Sequence, residues 1–221
     1  MSTPHPEKRV QIPADSVQLE GALVVPEHAG GLVVFAHGSG SSRFSPRNNF
    51  VARVLQQADI GTLLMDLLTQ EEDAVYATRF DIDLLTDRLL LATKWLQVQP
   101  MTQNLAIGYF GASTGAAAAL KAAAALGSGI YAVVSRGGRP DLAEIALVHV
   151  QSPTLLIVGG NDDVVLHLNR DAYALLRATK QLVVIPGATH LFEEPGALEE
   201  VACLATQWFK RYLHRASAQK A

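Results

Sequence analysis

The feature that most constrains this chain is a strand–turn–helix pattern at residues 105–120. An apolar run from Leu105 to Phe110 precedes a turn of small residues and an alanine-rich segment, which predicts a strand, a sharp reversal and a helix. The turn, residues 111–115, fits G-x-S-x-G with Ser113 at its centre, a pattern that lifts a serine hydroxyl to the top of a sheet. We therefore predict that Ser113 is a nucleophile. The alternative is that Ser113 only caps the helix.

Apolar strands alternate with helical segments along most of the 221 residues. Strands are predicted at 31–38, 60–66, 105–110, 131–135, 153–159 and 181–187, after a hairpin at 10–13 and 17–26. Helices are predicted at 46–58, 82–98, 116–125, 166–178 and 195–213, with a short helix around 142–146 and an acidic connection at 67–79. The alternation favours one α/β domain over 1–221, a largely parallel sheet with helices on both faces and no cap, and flexible tails at about 1–8 and 215–221.

Composition narrows the possible partners. The chain has 18 basic and 21 acidic residues, a formal net charge of -3 and 49% hydrophobic residues, which is typical of a globular protein and does not indicate a nucleic-acid partner. An apolar signal core and a run of 18 apolar residues are both missing, so we expect a soluble, cytoplasmic protein without a membrane partner. The single cysteine, Cys203, lies in an apolar helical pattern and is predicted to be a buried thiol. The oligomeric state is not predicted.

A serine nucleophile needs a base, and the base needs an orienting carboxylate. His190 follows the last predicted strand, and Asp162 follows the strand before it. Because Ser113 also follows a strand, all three are expected at the carboxyl edge of the sheet, where ligands bind in open α/β folds. Asp163 is the rival acid and Asp141 a more distant one, and we prefer Asp162 because its spacing from the preceding glycines suits a tight turn.

An oxyanion hole needs two backbone donors. We predict the N–H of Thr114, directly after the nucleophile, and the N–H of Ser39, in the loop after the third strand. His37, in the same loop, is a candidate substrate contact, although we expect it to brace the loop and not to transfer protons. The oxyanion of a tetrahedral intermediate would then lie between this loop and the helix after Ser113.

Four arginines follow strands and are candidates for binding a substrate carboxylate or phosphate: Arg43, Arg47, Arg136 and Arg139. The alternative, which we prefer, is that they pair with acids such as Asp66, Glu71, Glu72 or Glu193 and hold the loops in place. The scattered histidines do not indicate a metal site, and no dinucleotide or Walker loop is present, so no cofactor is predicted.

Four stretches in order carry a resemblance to a known family: residues 37–42, 111–115, 159–162 and 187–190. With the order of strands and helices, they make the sequence similar to α/β-hydrolases, and within them to the dienelactone hydrolase-like group. The resemblance implies an eight-stranded, mostly parallel sheet with its second strand antiparallel. It also implies hydrolysis of a small-molecule ester, lactone or thioester through an acyl-enzyme, without a cofactor.

The chain departs from that group at the nucleophile. Dienelactone hydrolases carry a cysteine where this sequence has Ser113, so a serine carboxylesterase is the expected activity. The sequence also resembles stand-alone versions of a hydrolase module that can be fused to phosphoribosyltransferase-like domains. Two alternatives stay open: a binding module that has lost turnover on a hydrolase scaffold, and an acyltransferase that uses the same three residues.

Overall fold

The computed structural model describes residues 5–214. Its strands are β1 (Lys8–Ala14), β2 (Val17–Val24), β3 (Gly31–Ala36), β4 (Gly61–Met65), β5 (Ala106–Ala112), β6 (Ala132–Arg136), β7 (Thr154–Gly159) and β8 (Lys180–Ile185). Its α-helices are α1 (Pro46–Gln57), α2 (Gln70–Ala74), α3 (Ile82–Val98), α4 (Thr114–Leu126), α5 (Asp163–Leu175) and α6 (Ala197–Tyr212). Short 3₁₀ segments are Tyr76–Phe80, Gly127–Gly129 and Pro140–His149.

The strands form one sheet in the order β1-β2-β4-β3-β5-β6-β7-β8. β2 pairs antiparallel with β1 and β4, and every other pairing is parallel, which confirms the predicted mixed but mostly parallel sheet. Every residue of β3 to β7 is buried, as expected for strands covered on both faces, whereas β1 alternates between buried and exposed positions. The parallel strands end at one edge of the sheet, called here the carboxyl edge.

Helices cover the sheet on both faces and divide the core in two. One core receives side chains from α3, α4 and α5, and the other receives side chains from α1 and α6. Neighbouring residues of β5 show the division, because Tyr109 belongs to the first core and Phe110 to the second. Most residues of helix α4 are buried. Its small alanine side chains let the helix pack close to the sheet, and alanine also favours the helical conformation.

Lys8 and Leu213, each within three residues of an end of the described chain, lie at the edge of the sheet opposite the carboxyl edge. Lys8, the first residue of β1, pairs with Leu23 of β2, and Leu23 pairs with Leu63, which lies near the start of β4. Leu213, just after α6, packs on the starts of two parallel strands: a Cβ on Gly31 would lie 2.5 Å from Leu213 Cγ, and one on Gly108 would lie 3.0 Å from Leu213 Cδ1. The tails predicted at 1–8 and 215–221 fall outside the described residues except for positions 5–8, of which Lys8 already belongs to β1.

Three predictions of local structure are wrong in detail. The connection at 67–79 contains α2, which the sequence analysis missed although Thr69 and Glu72 form a capping box at its start. Helix α5 begins and ends three residues earlier than predicted, and the chain leaves the helix at Leu176, whose side chain is buried. The segment expected to hold a helix at 142–146 is a 3₁₀ segment interrupted at Glu144, which has φ 50°.

Cys203 is exposed and not buried, which corrects the prediction for this thiol. The buried side chains of α6 nearest to it along the chain are Val201, Ala202 and Ala205, and one step of about 100° per residue turns Cys203 away from them. Its Sγ accepts a hydrogen bond from Gln207 Nε2 at 3.3 Å. No helix between residues 5 and 214 has the length and apolar character needed to cross a bilayer.

Candidate active site

Ser113 has a backbone conformation that few residues adopt. It lies between β5 and α4 with φ 50° and ψ -124°, a strained region that costs a residue with a side chain about 1–3 kcal/mol. Glycines make the turn possible. A Cβ on Gly111 would lie 2.4 Å from Ala116 Cα, and a Cβ on Gly115 would lie 2.2 Å from the carbonyl oxygen of Ala36. The turn thus fixes Ser113 at the carboxyl edge.

The Ser113 hydroxyl does not cap α4. Within the described residues, it accepts no hydrogen bond from the first turn of that helix, so the alternative of a simple N-cap serine is wrong. The loop after β3 approaches the same hydroxyl, because a Cβ on Gly38 would lie 2.9 Å from Ser113 Cβ and 3.6 Å from its Oγ. A glycine at 38 therefore leaves room beside the predicted nucleophile.

His190 and Asp162 meet at the same edge. Nδ1 of His190 lies 2.7 Å from Oδ2 of Asp162, the contact that an orienting carboxylate makes with a general base. The His190 side chain is about one-third exposed (38%), whereas that of Asp162 is mostly buried (15%). Asp163, the rival acid, is exposed at the start of α5, and Asp141 pairs with Arg139. Of the three candidate acids, Asp162 is the one that contacts His190.

Backbone contacts hold the two loops that carry this pair. Asn161 donates its N–H to the carbonyl of Ala188 at 2.9 Å and its side-chain amide to the carbonyl of Gly187 at 3.0 Å. A Cβ on Gly159 would lie 2.4 Å from the Ala188 oxygen, so the loops touch at the ends of β7 and β8. The position of His190 relative to Asp162 is therefore set by main-chain hydrogen bonds as well as by their own.

The loop after β6 lies between Ser113 and His190. The Ser113 N–H donates to the carbonyl of Arg136 at 3.4 Å, and the Arg139 N–H donates to the carbonyl of Ser113 at 3.0 Å. Gly137, with φ 50°, faces the histidine, because a Cβ there would lie 3.5 Å from His190 Nδ1. Within residues 5–214 no direct hydrogen bond joins the Ser113 hydroxyl to His190.

Of the two predicted oxyanion donors, the Ser39 N–H already donates a hydrogen bond within the protein. The Ser39 N–H donates to Oγ1 of Thr114 at 2.9 Å, so the loop after β3 is bonded to the first residue of α4. The Thr114 N–H stands at the first position of that helix, where amides have no intrahelical acceptor. The positive end of the helix dipole also points here. An oxyanion at this site would compete with the Thr114 hydroxyl for the Ser39 amide.

His37 braces the loop, as expected. Leu67 N–H donates to its Nε2 at 3.0 Å, and its Nδ1 lies 3.0 Å from the Gly38 carbonyl oxygen. Together these contacts require the neutral tautomer with hydrogen on Nδ1. Burial lowers the pKa of His37, against weaker raising effects of the Gly38 carbonyl and nearby acids. Both ring nitrogens are used by backbone groups, which leaves neither for substrate.

Three of the four candidate arginines pair with acids. Arg43 pairs with Asp66 and Glu20, Arg47 with Glu193 at 3.2 Å, and Arg139 with Asp141 at 2.7 Å. Asp66 and Glu193 were among the partners that the sequence suggested. The loops that follow β3 and β6 are therefore held in part by ion pairs.

Arg136 is different. The residue is 7% exposed, its Nε is buried without a hydrogen-bond partner, and no acid among the described residues pairs with it. Burial, and to a lesser extent the charge of Arg47, lowers the pKa of Arg136 to about 10, so it remains a cation at neutral pH. Phe192, buried with φ 55°, places its ring 5.8 Å from the guanidinium carbon.

Two residues of the site were not predicted from the sequence. One is Thr114, for which the sequence motif indicates a role of the N–H but not of the side chain. Gly137 was not singled out, although a Gly-Gly pair directly after a predicted strand signals an unusual backbone. Across residues 5–214 no cluster of three or more His, Cys, Asp or Glu side chains could hold a metal ion.

Comparison with known proteins gives one family. A sequence model of the dienelactone hydrolase family matches residues 51–216. The crystal structure of a dienelactone hydrolase from Anabaena variabilis ATCC 29413 is 58% identical, covers 95% of this chain and 99% of its own, and superposes with a TM-score of 0.93. This chain is thus similar to a protein of that name over nearly the full length of both.

Further similar proteins are either longer than this chain or much less identical in sequence. Two Mycobacterium tuberculosis proteins provisionally named phosphoribosyl transferases are 58% identical over 207 residues, which is 94% of this chain and 47% of theirs. The chain thus spans about half the length of the curated relatives that it matches. A serine hydrolase without a lid from Xanthomonas campestris is 21% identical with a TM-score of 0.76, covering 97% of this chain and 98% of its own, and this likeness shows the fold.

Proposed function

Because this chain belongs to the dienelactone hydrolase family, we propose that it hydrolyses small carboxylic esters, lactones or thioesters through an acyl-enzyme on Ser113. The observation that carries the proposal is the 2.7 Å contact between His190 and Asp162, at the same sheet edge as a serine on a strained turn. A base held by a carboxylate and a hydroxyl raised above the sheet are the parts that acyl transfer needs.

The proposed reaction has two halves. Ser113 Oγ attacks the carbonyl carbon while its proton passes to His190 Nε2, and Asp162 keeps the other ring nitrogen protonated and stabilises the imidazolium. The tetrahedral intermediate collapses when the bond to the leaving group breaks and His190 returns the proton to that group. Water then attacks the acyl-enzyme while His190 takes its proton. The second intermediate collapses when the bond to Ser113 Oγ breaks and His190 returns the proton to that oxygen, which releases the acid product.

The oxyanion of both intermediates would be stabilised by the N–H groups of Thr114 and Ser39. The Ser39 amide donates to the Thr114 hydroxyl in the free protein at 2.9 Å. We propose that this bond positions the loop before substrate binds and that the amide turns to the oxyanion as charge develops. Loss of one such donor typically slows an acyl transfer by about 10²–10³-fold.

Phosphoribosyl transfer is the activity named for relatives of which this chain matches about half. We do not extend that name to this chain, because the residues that meet at the candidate site suit acyl chemistry. Transfer of the acyl group to an acceptor other than water would use the same residues and the same first half-reaction. A binding module without turnover would not form the acyl-enzyme.

A fluorophosphonate probe tests the proposal, because it phosphonylates a serine only when that serine is activated. We expect the wild-type protein to be labelled at Ser113, and labelling to disappear in Ser113→Ala together with hydrolysis of short esters, by several orders of magnitude. Ser128→Ala, which changes an exposed serine far from the site, is the matched control and should be labelled normally. A folded wild-type protein that neither reacts with the probe nor cleaves any ester of a broad panel would be a binding module.

A further inference from the structure

We propose that Asn169, a buried residue of α5, is a positioning residue for the reaction at Ser113. It acts through residues 137–139, which join β6 to the following 3₁₀ segment and are called here the bridging loop. The proposal rests on the proposed function, because a positioning residue has a role only where Ser113 and His190 react. The observation that carries it is a buried side-chain amide bonded to a loop that touches both of these residues.

The bridging loop lies between the predicted nucleophile and the predicted base. At one end, the Arg139 N–H donates to the carbonyl of Ser113 at 3.0 Å. At the other end, a Cβ on Gly137 would lie 3.1 Å from the carbonyl oxygen of His190 and 3.5 Å from Nδ1 of the same residue. The Ser113 hydroxyl has no direct hydrogen bond to His190 within residues 5–214, so the elements that both residues touch set the distance between them.

Two consecutive glycines leave the bridging loop with little conformational restraint of its own. Glycine has a wider choice of backbone conformations than any other residue, and Gly137 uses this freedom with φ 50°. Gly138 is required by space, because a Cβ there would lie 2.0 Å from Ser135 Oγ and 2.6 Å from Ala116 Cβ. A contact from outside the loop is therefore needed to hold its middle residue in one conformation.

Asn169 supplies that contact. Its Nδ2 donates to the carbonyl of Gly138 at 3.0 Å and to the carbonyl of Val165, one turn earlier in α5, at 2.8 Å. Both partners are acceptors, so the nitrogen end of the amide must face them. Asn169 is fully buried (0% exposed), and a hydrogen bond is stronger in such surroundings than in water. The amide thus fixes the peptide group of Gly138.

Packing alone does not explain an amide at this position. Oδ1 of Asn169 is buried without a hydrogen-bond partner among the described residues, and so is Oγ of Ser135, next to Gly138. Burying an unpaired polar atom is unfavourable, and a leucine would occupy a similar volume without one. A polar side chain that lowers stability is expected where a specific contact serves the site.

Helix α5 also carries the predicted orienting acid. Asp162 directly precedes the helix, and Asn169 lies seven positions further on, about two turns, so the two residues are on the same side of α5. Asp162 contacts His190 at 2.7 Å, whereas Asn169 holds the loop that is bonded to Ser113. One rigid helix therefore positions the base directly and the nucleophile through the bridging loop.

The experiment replaces Asn169 by leucine, which has a similar volume and no donor. We expect kcat for a short 4-nitrophenyl ester to fall about 10- to 100-fold with KM changed less than about threefold, because the reacting groups move apart while substrate binding is kept. Fluorophosphonate labelling of Ser113 should slow by the same factor, since it reports the first half-reaction. Asn169→Ser can still donate to the Val165 carbonyl in its own helix but is too short for Gly138, and should lose as much.

Ser152→Ala is the matched control for lost stability. Ser152 is also buried (1% exposed) and donates to a backbone carbonyl, that of Ile130, at 2.9 Å. Both residues precede parallel strands, so this bond lies at the edge of the sheet opposite the carboxyl edge. We expect Ser152→Ala and Asn169→Leu to lower the melting temperature by similar amounts, with kcat of Ser152→Ala within about threefold of wild type. Rates are measured well below the lowest melting temperature.

The outcomes separate this proposal from the hydrolase proposal. If wild-type protein is neither labelled nor active on any ester, both are wrong. If wild-type protein is active and both Asn169 variants keep kcat within about threefold, hydrolysis stands and Asn169 has no positioning role. Equal losses of kcat in Asn169→Leu and Ser152→Ala would assign the effect to stability and also overturn that role. Should Asn169→Leu fail to fold, Asn169→Ser gives the same comparison.

Discussion

The backbone N–H of Ser39 donates a hydrogen bond to Oγ1 of Thr114 across 2.9 Å, and so the loop after β3 is fastened to the first residue of α4. Thr114 is buried (3% exposed) and follows the predicted nucleophile directly, whereas Ser39 lies on an exposed loop. Loops are in general more mobile than helices, so this bond attaches the glycine-containing loop after β3 to the more rigid helix α4. Its strength should influence how readily the amide serves an oxyanion.

We predict that Thr114→Val lowers kcat for a short ester by about five- to tenfold with little change in KM, because a typical hydrogen bond contributes about 1 kcal/mol and the loop loses this one. Thr114→Ser keeps the hydroxyl and should restore most of the rate. Steady-state kinetics on both variants measures the effect. A higher kcat in Thr114→Val would mean that the cost of breaking this bond outweighs its effect on the position of the loop.

Asp162→Asn should reduce kcat by roughly 10³- to 10⁴-fold, because the amide no longer holds His190 in the tautomer that can accept the serine proton. Asp163→Asn is the matched control, since that side chain is exposed at the start of α5 and is expected to change kcat less than threefold. Measuring kcat of both variants on one ester at a fixed pH decides between Asp162 and Asp163 as the orienting acid. A larger loss in Asp163→Asn would transfer the role of orienting acid to that residue.

The pKa of His37 is lowered by burial, so protonation should destabilise the folded protein. The unfolded chain binds this proton near pH 6.5 and the folded protein only at lower pH. Stability from this group is therefore complete above about pH 6.5 and declines as the pH falls below it. His37→Gln keeps an acceptor for Leu67 N–H but cannot titrate. Urea denaturation between pH 7.5 and 5.5 should show a smaller loss for this variant, and parallel losses in both proteins would contradict the prediction.

Gly115→Ala should destabilise the protein by at least about 2 kcal/mol, because the added carbon would lie 2.2 Å from the carbonyl oxygen of Ala36 and all its near contacts are backbone atoms. Gly30→Ala is the control, since a Cβ there meets no atom within 4 Å and should change stability by no more than about 0.5 kcal/mol. Urea unfolding gives both values. Equal stabilities for the two variants would show that the turn around Ser113 can adjust to an added methyl group.

Much of the architecture was predictable because its signals are local. Buried parallel strands appear as continuous apolar runs, and α3 was predicted over its full extent, Ile82–Val98, because an apolar stripe and a following proline define it. The errors lie where tertiary packing overrides the local pattern. Cys203 lies in an apolar segment, but the rotation of α6 turns it outwards. Leu176 leaves a helix early to fill the core.

The candidate site was predictable in its residue types and less so in its contacts. Residues after strands of a parallel sheet converge at one edge, which is why Asp162 and His190 could be expected to meet. Their catalytic roles, and that of Ser113, stay predictions. Which arginine lacks an acid could not be predicted, because ion pairs such as Arg43 with Asp66 join residues whose separation is set by the fold and not by the sequence pattern.

Lys8 and Leu213, each within three residues of an end of the described chain, lie at the edge of the sheet opposite Ser113. A surface tether, a fluorescent reporter or a second folded unit joined at either end would thus begin on the far side of the molecule from the candidate active site. Attachment there should leave substrate access open, so activity after immobilisation through either terminus should equal that of the free protein.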